Sequence, residues 1–167
     1  MPELSRRVQT FTDSVIRRMT RINNMTPGSI NLSQGFPDFD PPQEILDALK
    51  EAAEHGPHQY SITFGAKNFR DALAEMYTKK FAREIDPAKE IVVTCGGTEA
   101  MMAAMMTVCN PGDKVAVFSP FYENYGADAI LSGADPVYVP LVPPDFHYDS
   151  EALERAFQAG AKALILC

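Results

Sequence analysis

The sequence contains no tryptophan, and its 167 residues include only three histidines and three cysteines. The cysteines, Cys95, Cys109 and Cys167, are odd in number, and their spacing is not one that binds zinc. The sequence therefore predicts no metal site. Because each cysteine lies in an apolar context, we expect three reduced and buried thiols.

Positive charge and long apolar runs are also scarce. The chain has 15 Lys and Arg against 22 Asp and Glu, a net charge of -7, whereas binding to nucleic acid or to an anionic membrane surface needs a basic patch. No apolar stretch approaches the roughly 18 residues that span a bilayer, and the N-terminus lacks the apolar core of a secretory signal. We expect a soluble, cytoplasmic protein with neither nucleic acid nor membrane as a partner.

Helical and β-branched patterns alternate along the chain, and 46% hydrophobic residues suffice for a real core. The run "EIVVTC" at 90–95 predicts a strand, "TEAMMAAMMTVC" a helix whose methionines fill the core, and "KVAVFS" a second strand. Strand, helix and strand in this order imply parallel pairing with a right-handed crossover. The alternation continues with helices predicted around 121–132 and 150–159 and strands around 136–141 and 162–167.

These patterns predict an α/β fold, a mostly parallel sheet with helices on both faces. Residues 1–42 read as an N-terminal helix and arm, because 24–42 is rich in Pro, Gly, Asn and Ser. Residues 43–167 read as the α/β body, which includes helices starting after Pro42 and near Ala66.

The hinge Gly96-Gly97-Thr98 joins the first predicted strand to its helix. Ligands bind at the carboxyl ends of parallel strands, and the amides of a helix N-terminus suit a phosphate. A structural alternative remains open, in which Thr98 caps the helix and the glycines only turn the chain. The hinge lacks the Gly-Lys-Ser/Thr ending of a P-loop and the third glycine of a dinucleotide fingerprint, so both nucleotide sites are excluded.

Three further stretches carry candidate ligand-binding residues. "NLSQGFPDFDPP" at 31–42 is an irregular segment with a glycine and two aromatics, and "QYSITFG" at 59–65 places Tyr60 ahead of a helix. "SPFYENY" at 119–125 places Phe121, Tyr122 and Tyr125 just after a strand, where a flat ligand could stack. Each stretch could also be ordinary core or loop packing.

Together, these stretches and the hinge resemble the class I/II aminotransferases, the fold-type I family that uses pyridoxal 5'-phosphate (PLP). The resemblance runs from about Arg6 to Cys167. It implies that Gly97 and Thr98 form the cup for the cofactor phosphate, flanked by Gly96 and Glu99. It also implies that Tyr122 stacks on the pyridine ring.

The same resemblance implies roles for residues outside the cup. Tyr60 matches the tyrosine that reaches across a homodimer to the cofactor phosphate of the other subunit. Gly35 matches the glycine whose backbone lies near the substrate carboxylate, with Phe36 beside it. The substrates implied are an L-amino acid and a 2-oxo acid. "NLSQGFPDF" is closest to members acting on aromatic amino acids, kynurenine, glutamine or methionine.

None of the seven lysines stands in the motif of the lysine that holds PLP as a Schiff base, so no catalytic residue is assigned. We therefore expect this chain to be the N-terminal portion of an aminotransferase and to be inactive alone. Two alternatives stay open. One is a non-catalytic module that binds PLP or phosphate or forms a dimer, and the other is a related fold-type I lyase such as a C-S β-lyase.

Overall fold

The computed structural model describes residues 3–10 and 13–167, which divide into two compact units. One unit comprises the residues up to Gln34 together with Cys95–Cys167, and the other comprises Gly35–Thr94. The helices are α1 (Val15–Asn24), α2 (Gln43–His55), α3 (Lys67–Phe81), α4 (Gly96–Val108), α5 (Asn124–Ser132) and α6 (Ser150–Gln158). The strands are β1 (Lys114–Ser119), β2 (Asp135–Val142), β3 (His147–Tyr148) and β4 (Ala161–Ile165).

The first unit is built on a four-stranded sheet in the order β3-β2-β1-β4. β1 pairs in parallel with β2 on one side and with β4 on the other, and β3 adds an antiparallel edge to β2. β1, α5 and β2 form the strand-helix-strand unit, since α5 lies between two parallel neighbours. The mostly parallel sheet predicted from the sequence is confirmed.

Alternate residues of β1 point to opposite faces of the sheet, and each face is covered. Val115 and Val117 pack with Met105 of α4 and Ala129 of α5. Ala116 faces the other way and lies in a cluster with residues of β2 and α6, which are Val139 and Ala156. A strand with both faces buried reads as a continuous apolar run, as "VAVF" does here. Helices on both faces are therefore confirmed.

Local signals account for the helix ends. The Ser14 hydroxyl accepts a hydrogen bond from the Arg17 amide at the start of α1, and the Asp149 carboxylate accepts one from the Glu151 amide at the start of α6. α5 ends at Gly133, whose φ of +92° is left-handed.

The second unit contains α2 and α3 and the loops around them. Arg70 of α3 is buried and donates from Nε to the Gly65 carbonyl at 3.0 Å and from Nη1 to the Pro87 carbonyl at 2.5 Å. The Val93 amide donates to the Phe64 carbonyl at 3.0 Å. These bonds hold residues 64–65 and 87–93 to α3 and to each other.

The strand predicted at 90–95 was wrong, because the structure assigns no strand there. A strand exists only where a neighbour shares its ladder. Among the described residues, no strand shares a ladder with 90–95, and the Val93 amide donates to the loop carbonyl of Phe64 instead. A β-branched run shows preference for a strand, but it cannot show whether a partner is available.

Two predictions about burial also need correction. Cys109 is buried, and desolvation raises the pKa of its thiol, but Cys95 and Cys167 are exposed. Met105 is core, whereas Met106 is 65% exposed. Only one side of α4 packs on the sheet, so Met106, on the other side, is exposed to solvent.

Within residues 3–10 and 13–167, no helix is both long enough and apolar enough to cross a bilayer. The division of the chain at residue 42 stays a prediction.

Candidate functional site

The hinge predicted to hold phosphate forms the start of α4. Gly96 has a φ of +84°, a left-handed conformation that favours glycine, so the turn itself requires this residue. Gly97 has no such requirement, and a Cβ placed on it would meet no atom within 4 Å. The Gly97 backbone therefore borders open space, where an absent side chain lets a ligand approach the amides of the first turn.

One polar side chain, that of Glu99, bonds the residue that precedes the hinge helix. The Glu99 carboxylate accepts a hydrogen bond from the Cys95 amide, which ties the residue before the helix to its first turn. The amides of Gly97 and Thr98 lie in that first turn, where backbone donors project from the positive end of the helix dipole. The arrangement suits a bound anion.

A cavity of about 340 Å³ opens beside this helix start. α4 supplies Gly97 and Thr98, and the region from Tyr122 to Asp128 supplies the opposite wall. Its lining residues are Gly97, Thr98, Met101, Tyr122, Asn124, Tyr125 and Asp128. Because β1 ends at Ser119 and α5 begins at Asn124, this wall lies just past the carboxyl end of the central strand.

Tyr122 is the aromatic residue that stands open at this cavity. Its side chain is 47% exposed, and its ring meets the Tyr125 ring edge to face, with centroids 5.7 Å apart and planes at 74°. This contact fixes the Tyr122 ring and leaves one face available for a flat ligand.

Phe121 does not join this aromatic wall, and its grouping with Tyr122 as a stacking surface was wrong. Its ring stacks on Tyr138 of β2 at 5.2 Å and packs against the buried core cluster. Gly126 allows this packing, because a Cβ there would lie 3.2 Å from both the Phe121 ring and the Tyr138 hydroxyl. Adjacent residues after a strand point in different directions, which composition cannot resolve.

Two polar lining residues, Asn124 and Asp128, were missed by sequence reasoning. Asn124 donates from Nδ2 to the Thr98 hydroxyl oxygen at 2.8 Å, a bond that joins α5 to the hinge. Asp128 lies one helical turn later on α5 and is only 3% exposed. The four-residue spacing of Asn124 and Asp128 places them on one helix face, and this was the only available sequence signal.

Asp128 is an unusual group for this position. In the part of the chain that the structure describes, its Oδ2 atom is buried and has no hydrogen-bond partner. Burial away from water raises the pKa of this carboxyl above the usual value for aspartate. The cavity wall thus carries a carboxyl whose ionised form is disfavoured by burial.

Replacing Asp128 by asparagine is expected to increase the free energy of unfolding by about 1 kcal/mol at pH 7, because burial penalises an ionised carboxyl more than a neutral amide of the same shape. A raised folded-state pKa means that wild-type stability falls as pH rises from 3.8 to the folded value. The gain should therefore shrink towards zero as pH falls to 3.8. Urea unfolding across this range measures it.

The exposed Asp145 provides the control for that series. Asp145→Asn should change the unfolding free energy by less than about 0.5 kcal/mol at every pH. If Asp128→Asn increased the free energy of unfolding equally at pH 4 and pH 7, the raised pKa of the Asp128 carboxyl would be contradicted.

The other predicted site residues belong to the second compact unit. Tyr60 lies outside helices and strands, and its side chain is fully exposed at 101%. Gly35 and Phe36 lie in an irregular exposed segment before α2. The structure therefore brings Gly97, Thr98 and Tyr122 to one cavity, beside Gly96, while the roles of Tyr60, Gly35 and Phe36 stay predictions.

No group of three or more His, Cys, Asp or Glu side chains within residues 3–10 and 13–167 could hold a metal ion. The hydrogen-bonding and stacking groups of the cavity are suited to an organic phosphate with a flat ring.

Comparison with known proteins points to the same conclusion. The model of the family "Aminotransferase class I and II" matches residues 27–167. Mouse kynurenine--oxoglutarate transaminase 3 is 32% identical over 173 residues, which cover 97% of this chain and 38% of that protein. Escherichia coli methionine aminotransferase is 34% identical over 138 residues, covering 83% of this chain and 36% of that protein.

The fold has solved counterparts as well. The structure of N-succinyldiaminopimelate aminotransferase from Mycobacterium tuberculosis superposes with a TM-score of 0.88 at 35% identity, covering 98% of this chain and 43% of that one. The chain spans about two fifths of the length of the curated relatives that it matches, and it corresponds to their N-terminal part. It shares the fold of fold-type I aminotransferases, and it belongs to the class I and II aminotransferase family.

Proposed function

We propose that the protein carrying this chain is a PLP-dependent aminotransferase that moves an amino group between an L-amino acid and a 2-oxo acid. Members of the family use PLP. The single observation that carries the proposal is the cavity in which the start of α4 and the Tyr122 ring face the same space. This chain then supplies the cofactor's phosphate anchor and one side of its ring site.

The residues present fit this cofactor. A phosphate needs several N–H donors and a hydroxyl, and the first turn of α4 offers amides together with Thr98. The open space beside Gly97 leaves room for phosphate oxygens where any side chain would intrude. A planar pyridine ring needs an aromatic face, and Tyr122 offers one at the opposite wall.

The chain's own contribution to catalysis is positioning. Amide donors at a helix N-terminus hold an anion without cost in reorganisation, because the backbone is already fixed. The Tyr122 ring, held by Tyr125, restricts rotation of a stacked ring. When bound, PLP acts as the electron sink for the substrate's α-carbon. Gly35 and Phe36 are proposed to lie near the substrate carboxylate.

The decisive experiment is a PLP titration of the protein that carries this chain, followed by borohydride reduction and peptide mapping. We expect PLP absorbance, a covalent adduct at one lysine, and amino transfer to a 2-oxo acid. PLP that binds but is not fixed covalently would favour a non-catalytic module. Release of a thiol and pyruvate from a cysteine conjugate, without amino transfer, would favour a C-S β-lyase.

We further propose a homodimer in which Tyr60 reaches the cup of the neighbouring subunit. The support is the complete exposure of this large side chain, together with exposed Ile45 and Leu49 on α2 of the same unit. In this position the phenol hydroxyl is solvated by water, so it is available to an anion on a second subunit that covers it. A cytoplasmic location is proposed with it, on the composition alone.

A mixed-subunit experiment tests the Tyr60 proposal. Tyr60→Phe should weaken PLP binding about 10-fold, the loss of one hydrogen bond to a charged group. When Tyr60→Phe subunits are mixed with subunits that carry a blocked cup, Gly97→Val, about one intact site per mixed dimer should return. If Tyr60 served its own subunit, no mixture would contain a site of wild-type PLP affinity, and the proposal would be wrong.

A further inference from the structure

We propose that Asn124 is a positioning residue for the anion site: its amide fixes the Thr98 hydroxyl so that the hydroxyl proton is directed at the ligand phosphate. This inference rests on the proposed function and adds a residue to it. Nothing in the hinge motif itself indicates a role for Asn124, which lies 26 positions further along the chain.

The argument begins with the hydrogen-bonding capacity of a hydroxyl. Thr98 Oγ1 can accept bonds through its lone pairs and can donate one proton. An amide nitrogen such as Asn124 Nδ2 can only donate, and it lies 2.8 Å from Oγ1. The bond therefore occupies a lone pair of Thr98 and leaves its proton for another acceptor. A phosphate has only acceptors to offer when it is fully ionised, so donor and acceptor match.

Placement supports the same role. Asn124 and Thr98 both line the cavity that Gly97 and Tyr122 border. Asn124 opens α5, directly after the segment that carries Tyr122, so one short stretch holds both the ring platform and the Thr98 hydroxyl. A rotating hydroxyl would spend part of its time pointing away from the anion, and a fixed one does not.

A binding comparison between PLP and pyridoxal, which lacks the phosphate, isolates this effect. In the protein that carries the chain, Asn124→Ala should weaken PLP binding about 5- to 10-fold, the size of one modest hydrogen bond. Pyridoxal affinity should change less than about twofold. Loss of Asn124 for a merely structural reason would weaken both ligands alike, and that result would overturn the proposal.

A double-mutant cycle with Thr98→Val gives the second readout. If Asn124 acts through the Thr98 hydroxyl, Asn124→Ala should have no further effect on PLP affinity in the Thr98→Val protein. An undiminished effect in that background would refute the mechanism. A wild-type protein without preference for PLP over pyridoxal would refute the proposed phosphate site itself. A preference for PLP over pyridoxal in Asn124→Ala that equals the wild-type preference would refute only the role of Asn124.

Discussion

Substituting valine for Gly97 is expected to reduce PLP affinity at least about 100-fold, or about 2.7 kcal/mol. The reason is that a Cβ at this position points into open space beside the first turn of α4. Two γ-methyl groups would fill the volume proposed for phosphate oxygens and hold them away from the amides. The expected loss of affinity has two causes. The methyl groups exclude the phosphate from its volume, and charge-assisted hydrogen bonds of about 1.5–3 kcal/mol each are lost.

Gly97→Val should leave the stability of the fold almost unchanged, so that a loss of PLP affinity can be assigned to the cup itself. Because the new Cβ meets no atom within 4 Å, the free energy of unfolding should change by less than about 1 kcal/mol. Ala104→Val on the same helix is the matched control, since Ala104 is exposed and does not line the cavity. PLP binding by Gly97→Val at wild-type affinity would show that the cup lies elsewhere.

Substituting alanine for Gly65 is expected to destabilise the second unit by about 2–5 kcal/mol. Gly65 has a φ of +104°, which costs a residue with a side chain about 1–2 kcal/mol. Its Cβ would also lie 2.5 Å from Cγ2 of Val93 and 2.6 Å from Cβ. Overpacking of this kind costs about 1–3 kcal/mol, because the backbone must move. Urea unfolding followed by tyrosine fluorescence measures the sum.

Two further variants separate the two costs. Gly28 has a φ of +79° but open space around it, so Gly28→Ala should show only the backbone share of about 1–2 kcal/mol. Combining Gly65→Ala with Val93→Ala should recover part of the steric share. Equal effects of Gly28→Ala and Gly65→Ala would show that the contact with Val93 contributes nothing.

The sequence predicted the structure best where a residue type is compatible with only a few conformations or environments. A left-handed turn before a helix favours glycine, and Gly96 adopts one. The continuous apolar run in β1 is buried on both faces, as in parallel sheets with helices on both sides. The helix predicted to start near Ala66 is α3, which begins at Lys67.

Sequence reasoning failed where the outcome depended on a distant partner. The β-branched run at 90–95 favours a strand, but no strand among the described residues pairs with it. Phe121 and Tyr122 are adjacent aromatics, yet one packs on Tyr138 and the other lines the cavity. The only local signal at Asn124 was its four-residue spacing to Asp128, and that spacing could not indicate the contact with Thr98, which lies 26 residues away.

The amino-acid sequence by itself therefore determined the class of fold, the glycine hinge and the residue types suited to a phosphate and a flat ring. These properties follow from local conformation and from hydrophobic periodicity, which are encoded within a few neighbouring residues. Only the tertiary structure decided that Thr98 meets Asn124, that Asp128 is buried without a partner for Oδ2, and that Tyr122 alone of its aromatic neighbours stands open. Those facts depend on how α4 and α5 pack on the sheet, because packing brings together side chains that are far apart in the chain.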